Sequence, residues 1–342
     1  MRPRSSFRPS PFAFLLAVAV VVLAAAILTG LQLFRPGSSS SATVKFLIRE
    51  RQTAREIADT LAARGVIRSP DLFALLARLT GDDRSFKIGR YTLPVAITEY
   101  QALRRIAQGG EQNAFVTIPE GFTLAQIAGR LQAEQVCGRS GFLAACRDTG
   151  FLHRLGIAEP TAEGYLFPDS YYLPYGAAPE EVVRIMTTRF FSIFNPLRSE
   201  WGHDSATRPL RLTTNQVVTL ASIIEAEAEQ DSERPLIASV FLNRLRRGMR
   251  LQSCATVEYI LPQRKAILSE EDTRTESPYN TYLHSGLPPG PIGNPGKTSL
   301  RAALFPARTG YLFFVAKGGG WHHFSSNYAD HLAARRRYRT PG

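Results

Sequence analysis

Residues 48–66 read IRERQTAREIADTLAARGV, and residues 118–136 read IPEGFTLAQIAGRLQAEQV. Set seventy positions apart without a gap, Ile48 meets Ile118, Glu50 meets Glu120, Thr53 meets Thr123, Ile57 meets Ile127 and Ala58 meets Ala128. Leu61, Ala63 and Val66 meet Leu131, Ala133 and Val136. The matches fall on a strand end, a helix cap and one apolar helix face, since Ile57, Ala58 and Leu61 recur at helical spacing. Each threonine precedes its stripe, where a hydroxyl can accept a free first-turn amide. The chain therefore reads as carrying two related strand–helix–helix units.

The first unit has a complete frame. Val44–Ile48 is a short apolar strand, and Gly65 closes the first helix. Ser69-Pro70 supplies a cap followed by proline at the first helical position. Phe73, Leu76 and Ala77 continue a helical stripe, and Lys87–Leu93 returns as a strand. In the second unit Cys137 takes the slot of Ile67, and Cys146 that of Leu76. Both slots are apolar and suit buried thiols; a disulfide between the two is equally open to an exported chain. The third cysteine is Cys254. There is no C-x-x-C and no H-E-x-x-H, and nothing sets a third ligand beside the adjacent His322 and His323, so no metal is expected.

Residues 11–31, PFAFLLAVAVVVLAAAILTGL, carry no charge. About 20 apolar residues suffice to cross a bilayer, and the run outlasts the roughly 7–15-residue apolar core of a cleaved signal peptide. Arg2, Arg4 and Arg8 precede it and keep the short N-terminus in the cytoplasm. The expected layout is a cytoplasmic segment 1–10, a membrane helix 11–34, a linker 35–42 and an extracytoplasmic remainder. The net charge of +12, nearly all from arginine, suits an anionic partner. The membrane segment argues against nucleic acid as that partner.

The chemistry centres on TTNQVVTLASIIEAEAEQ, residues 213–230. A cap at Thr213-Thr214-Asn215 predicts a helix of about four turns. At about 100° per residue, with Leu220 at zero, Val217 and Ile224 lie roughly 40–60° to one side and Glu227 about 20° to the other. Glu225 and Glu229 fall roughly 140–180° away. Glu227 thus continues the packing stripe, where burial raises a carboxyl pKa toward what a general acid needs. A buried salt bridge to Arg244 or Arg250 is the competing reading of the same position.

The next helix is expected from Ser232, with Pro235 in its first turn, to Gly248, carrying Asn243 and Arg244. Gln252, Ser253 and Thr256 follow with neutral hydrogen-bonding groups suited to sugars. Tyr279, Asn280, Thr281 and Tyr282 offer stacking rings and hydroxyl-binding groups beside a rigid GLPPGPI run at 286–292. Tyr311–Ala316 reads as a buried strand, and Arg335, Arg336, Arg337 and Arg339 as a solvated basic tail.

EGYLFPDSYY at 163–172, the run from LASIIEAE at 220–227 to LQSCATVEY at 251–259, SPYNTYLHSGLPPGPIGNPG at 277–296 and the final FFVA…HHFSSNYADH together resemble the endolytic murein transglycosylases, the MltG or YceG-like family. The resemblance runs from about residue 44 to about 335. It implies an α+β protein: an N-terminal transmembrane helix, a LysM-like βααβ subdomain at 43–110, then a mixed α+β catalytic domain at 111–342. It implies Glu227 as the catalytic residue and sets Glu163 in the cleft. Asn243, Arg244, Gln252, Ser253 and Tyr279–Tyr282 become substrate-binding candidates. Many relatives read L-Q-T-D-P-T where this chain has Leu251-Gln252-Ser253-Cys254-Ala255-Thr256, so an Asp is replaced by Cys254.

The implied reaction needs no cofactor. Glu227 protonates the MurNAc–GlcNAc β-1,4 oxygen, then takes the proton of the attacking MurNAc 6-hydroxyl and leaves a 1,6-anhydro end. The implied partners are peptidoglycan strands, membrane lipid around the N-terminal helix, and peptidoglycan synthases. The implied place is the cell membrane, with the catalytic domain outside the cytoplasm. A muramidase-type hydrolase and a non-catalytic wall-binding scaffold are the alternative readings.

Overall fold

The computed structural model describes residues 42–95, 97–203, 212–263, 265 and 268–338, together with 15, 18–25, 28 and 30 of the N-terminal stretch. The membrane span expected at 11–34 and the linker at 35–42 lie largely outside the described residues. Among the described residues no helix is long and apolar enough to cross a membrane. The chain divides into two compact units, one reaching Asn113 and including Pro174–Gly176, the other comprising Ala114–Leu173 and the chain from Ala177 onward.

The first unit runs β1 (Thr43–Ile48), α1 (Ala54–Ala63), α2 (Pro70–Thr80), β2 (Gly89–Pro94) and α3 (Glu99–Gln108). β1 and β2 pair antiparallel, Thr43 opposite Pro94 and Ile48 opposite Gly89. Alternation along the strands turns Phe46, Ile48, Tyr91 and Leu93 onto one face. Ile57, Ala58 and Leu61 of α1, Phe73 and Ala77 of α2, and Leu103 and Ile106 of α3 close over them as one core. The expected strand–helix–helix–strand order is present, with α3 as an addition.

The second unit opens with β3 (Asn113–Thr117), α4 (Leu124–Ala133), α5 (Arg139–Ala145), α6 (Thr149–Arg154) and β4 (Ser170–Pro174), where β3 pairs with β4. This is the repeat foreseen in sequence. Thr53 and Thr123 are both N-caps, and each is locked by a reciprocal bond to the third helical residue, Glu56 or Gln126. Ile57 and Ile127, Leu61 and Leu131, and Val66 and Val136 are all buried. Even the turn is kept: Gly65 has φ +70° and Gln135, its counterpart, φ +60°. Cys137 and Cys146 are free, buried thiols, so the cysteine slots are filled as apolar positions rather than bridged. Burial pushes the Cys137 thiol up to about 11, away from reactivity.

The unit continues with α7 (Pro179–His203), α8 (Thr214–Glu227), α9 (Arg234–Arg246), α10 (Cys254–Ile260) and α11 (Lys297–Leu304). It ends with β5 (Phe313–Gly318), β6 (Trp321–Ser325) and α12 (Tyr328–Tyr338). Here two expectations change. Every residue of α8 from Val217 to Ile224 is buried, so α8 is a central helix and not a one-sided one. The strand expected at Tyr311–Ala316 begins at Phe313 and forms a hairpin with β6; its residues are half-buried or exposed, not core. Arg335, Arg336 and Arg337 are exposed as expected, but on a helix.

Glycine sets the approach to α8. Gly164, at φ +86°, lies where a Cβ would come within 2.5 Å of Pro291 and 2.7 Å of Val218. The EGYLFP segment, the proline-rich loop and α8 meet at that point, which ties two sequence motifs separated by more than a hundred residues. Ser222 fixes the loop to the helix, its Oγ accepting the Ile292 N–H at 3.0 Å.

Candidate active site

Glu227 is the last residue of α8, and Ala228 turns out of the helix into extended backbone (φ −97°, ψ 121°). The helix has the expected length of about four turns, and its end leaves Glu227 where the chain opens. The Ser253 hydroxyl donates to Glu227 Oε1 at 2.5 Å. Burial pushes the Glu227 carboxyl pKa up, against the opposing pull of the Ser253 bond, the charge of His322 and the Ala255 N–H; the charge of Glu258 adds to the rise. The carbonyl end of a helix disfavours an anion in the same sense. The expected rival, a salt bridge to Arg244 or Arg250, is replaced by other bonds. Arg250 donates to the Tyr282 carbonyl at 3.0 Å, and Arg244 donates only to oxygens of the loop and of Leu312.

Those bonds explain how Ser253 is held. Arg244 on α9 donates to the Leu251 carbonyl at 2.8 Å, the Arg250 carbonyl at 3.2 Å, the Gln252 side chain at 3.4 Å and the Leu312 carbonyl at 2.7 Å. Gln252 takes a left-handed backbone (φ 53°), which turns the loop toward α8. Its N–H donates to the Thr281 carbonyl at 3.1 Å, and the Ser253 N–H donates to Thr281 Oγ1 at 3.0 Å. Thr256 donates to the Ser253 carbonyl at 2.8 Å. Asn280 supports Thr281 from behind, donating to the Thr273 and Thr275 carbonyls at 3.0 and 2.8 Å.

The sequence-predicted site residues thus separate into groups. Ser253 touches Glu227, Gln252 and the thiol-bearing Cys254 are exposed, and Tyr279 and Tyr282 are half-buried. Tyr282 lies 3.1 Å from the Cys254 sulfur through its hydroxyl, and Tyr279 packs its ring 5.2 Å from that of Tyr259. Asn280 and Thr281, expected to contact substrate, are closed off from solvent and bonded internally. Asn243 spends its amide on the Thr309 and Tyr311 carbonyls at 2.8 and 2.9 Å, and Arg244 is spent as described. Arg244, Asn280 and Thr281 hold the loop and Asn243 holds the 309–311 segment; sequence alone cannot separate a polar residue that faces a ligand from one that faces a carbonyl.

Glu163, expected in the cleft, is 6% exposed and stands at the start of α4. It accepts the Leu124 N–H at 3.1 Å, the Asn294 amide at 3.0 Å and the Tyr259 hydroxyl at 3.4 Å. Burial pushes it up to about 7 despite those bonds. Glu225 faces away from Glu227, as helical phase requires, but into protein: Arg234 donates to it at 2.9 Å and the Gly296 N–H at 2.8 Å.

One polar pair near the end of α8 went unread in sequence. Glu233 accepts the His322 main-chain N–H at 3.0 Å and lies 2.8 Å from its Nδ1. They lie far apart in the chain, so no spacing rule joins them; the adjacent His322-His323 was the only signal.

The model of the YceG-like family matches residues 46–337. The chain belongs to this family. It is 31% identical over 337 residues to the endolytic murein transglycosylase of Bacillus subtilis (strain 168), covering 93% of this chain and 91% of the relative. It is 30% identical over 316 residues to the endolytic murein transglycosylase of Streptococcus pneumoniae serotype 2, covering 83% of this chain and 56% of that longer protein. The crystal structure of a YceG-like protein from Listeria monocytogenes superposes with a TM-score of 0.59 at 31% identity, covering 86% of this chain and all of that one. Such a family match fits the mixed α+β architecture with its small sheets.

Proposed function

We propose that this protein is a peptidoglycan lytic transglycosylase with Glu227 as its single acid–base group. The observation that carries the reading is the Glu227 setting: a carboxyl pushed up by burial, held by one serine hydroxyl, at the open end of a buried helix. A raised pKa lets such a group hold its proton further toward neutral pH, which suits it to donate to the MurNAc–GlcNAc glycosidic oxygen. The resulting carboxylate then accepts the proton of the MurNAc 6-hydroxyl as that oxygen closes on C1. The product is a 1,6-anhydro-MurNAc end, and no water is consumed. The relatives named as endolytic murein transglycosylases support peptidoglycan as the substrate and an internal cut.

The remaining assignments follow from that reading. Residues 1–10 stay in the cytoplasm, 11–34 anchor the chain in the cell membrane and 35–42 link it to an extracytoplasmic body. The unit at 43–110 is a LysM-like glycan-binding subdomain, and 111–342 carry catalysis. Ser253 orients Glu227, while Gln252, Tyr279 and Tyr282 are the exposed or half-buried groups left to meet sugar. The anchor brings the enzyme to newly made strands beside the peptidoglycan synthases.

The test is mass spectrometry of nascent strands digested with the full-length protein in detergent, beside Glu227→Gln. Anhydro ends from the wild type and none from the variant support the proposal. Reducing ends carrying one added water would assign a hydrolase instead, and an active Glu227→Gln would remove the catalytic assignment.

A further inference from the structure

β3 and β4 pack one face and leave the other to solvent. Ala114 and Val116 of β3, Ile118 just past it, and Tyr171 and Leu173 of β4 are buried. The alternate residues Phe115, Thr117, Ser170 and Tyr172 are exposed. The Ile118 N–H donates to the Asp169 carbonyl at 2.9 Å and sets the pairing. Phe115 stands across from Tyr172, with ring centroids 5.0 Å apart and planes tilted by 47°. Thr117 stands across from Ser170, their hydroxyl oxygens 2.8 Å apart. Although the two rings touch, Phe115 is 58% and Tyr172 74% exposed.

The sequence repeat shows that the fold does not require these rings. Seventy positions before Phe115, β1 carries Lys45, which pairs with Thr92 of β2. Both are exposed. A two-stranded sheet followed by the same capped helix is thus made with a lysine and a threonine outward. Cross-strand aromatic pairs steady a sheet, but the first unit does without one. The exposed pair belongs to the unit that also carries Glu227.

The chemistry of the face points to one kind of occupant. None of its four outward residues is charged, and the Asp169 carboxylate beside it is engaged by Arg189 and by the Ser170 N–H, each at 2.8 Å. A phosphate backbone or an anionic headgroup calls for cations instead. A sugar ring has a face of C–H groups that settles on an aromatic ring, and hydroxyls at its edge that bond to neutral oxygens. The face offers both, with Thr117 about 7 Å along the strand from Phe115. It also lies close to the chemistry. Thr117 is four residues before Gly121, a reach of at most about 14 Å, and a Cβ at Gly121 would lie 3.5 Å from Glu225 Cγ on α8.

We propose that the outer face of β3 and β4 is a second glycan-binding surface: sugars of the strand stack on Phe115 and Tyr172 and bond to Thr117 and Ser170 while another part of that strand meets Glu227. This rests on the reading of the substrate as a peptidoglycan strand. Binding at a distance from the reacting bond strengthens ground state and transition state alike, so it lowers KM and leaves kcat in place. It favours long strands over fragments too short to reach both places.

The test uses full-length protein in detergent and uncross-linked peptidoglycan strands sorted by length. Affinity is measured in a Glu227→Gln background, so that strands are held and not cut. Phe115→Thr combined with Tyr172→Thr puts outward the residue type that the first unit has at Thr92, and threonine suits a strand. The double variant is expected to bind long strands about tenfold more weakly, as the loss of two stacked rings implies. With Glu227 in place, KM on long strands should rise by a similar factor while kcat stays within about twofold. Both losses should shrink as the strands shorten.

A folded double variant that binds long strands as tightly as its parent overturns the proposal. So does a loss that is equal at every length, since that would be damage to the site around Glu227. If the double variant does not fold, Tyr172→Thr alone is judged by the same two measures. Sedimentation velocity identifies a rival occupant: self-association lost in the variant, with strand affinity unchanged, would make the face a contact between copies of the chain and overturn the proposal. A wild type that makes no anhydro ends yet shows the length-dependent loss removes the reaction assigned to Glu227 and keeps the surface. Anhydro ends beside unchanged affinities remove only the surface.

Discussion

Glu163 and Glu227 are both carboxyls whose pKa burial has raised, in one unit of one chain, and their surroundings are opposite. Glu163 meets an amide N–H, a side-chain amide and a phenol, and 6% of the residue is exposed. Glu227 ends a helix, is partly exposed, and is held by a serine hydroxyl on a loop braced by Arg244 and Thr281. A raised pKa is therefore not by itself a mark of chemistry, since structural networks raise it too. What separates the two is position and partners: Glu163 is a buried tie between α4 and the Asn294 turn, and Glu227 stands where α8 ends, with one serine hydroxyl on its carboxyl.

The sharpest way to break this contrast is to neutralise each group in turn. Glu227→Gln keeps an oxygen for the Ser253 hydroxyl but carries no exchangeable acid proton. Turnover is expected to fall by about 10²–10⁴-fold, the usual worth of a general acid–base group, with thermal stability at least equal to the wild type. Glu163→Gln is expected to retain most of the activity. Steady-state rates on nascent strands check both, and a Glu163→Gln as inactive as Glu227→Gln would erase the distinction.

A second buried carboxylate sharpens the point from the stability side. Glu225 and Arg234 are each 7% exposed at the side chain and pair at 2.9 Å, with Asp231 and Ser299 completing the arginine. Arg234→Ala strands a buried anion, which costs about 3–5 kcal/mol when one partner of such a pair is removed. Urea unfolding should show this as a lowered midpoint with unchanged slope. A loss below about 1 kcal/mol would mean that Gly296 alone satisfies Glu225.

Glu163 predicts a pH dependence of a distinct sign. Burial raises its carboxyl to about 7 when folded against an ordinary 4.5, so the folded chain binds more protons than the unfolded one between those values. Stability should therefore fall as pH rises from about 4.5 to about 7, by on the order of 3 kcal/mol in all. Glu163→Gln removes that slope. The difference in unfolding free energy between the variant and the wild type should rise in the variant's favour across that window and then level off. Parallel slopes for the two proteins would mean that another group carries the dependence.

These effects also mark what was legible in the sequence. Helical phase chose Glu227 over Glu225 because the angle between residues two apart is fixed by geometry. It misjudged the helix, because an angular stripe assumes one solvent face and α8 has none. The repeat was legible down to its caps, since Thr53 and Thr123 act on amides three residues away. Asn243, Arg244, Asn280 and Thr281 were read as ligand-facing because amides, guanidinium groups and hydroxyls serve carbonyls and sugars equally well. The Glu233–His322 pair was out of reach for another reason: a contact between a helix start and a hairpin leaves no periodic trace.

The smallest effect tests the repeat itself. Thr53 in the first unit and Thr123 in the second each accept the N–H of their third helical residue, at 3.2 and 3.4 Å, and each gains a bond back from its partner side chain. Partners differ in charge: Glu56 carries an anion near the positive end of α1, and its pKa is lowered by the Thr53 bonds, while Gln126 is neutral. Thr→Ala at either position should cost about 1 kcal/mol. The Thr53→Ala loss should shrink as pH falls through the Glu56 range, because protonation removes the anion that the cap engages. The Thr123→Ala loss should stay level over the same range. Thermal melts of the two variants at pH 4 and pH 7 read both slopes, and equal pH dependence would show that the charge on Glu56 adds nothing to a cap the two units otherwise share.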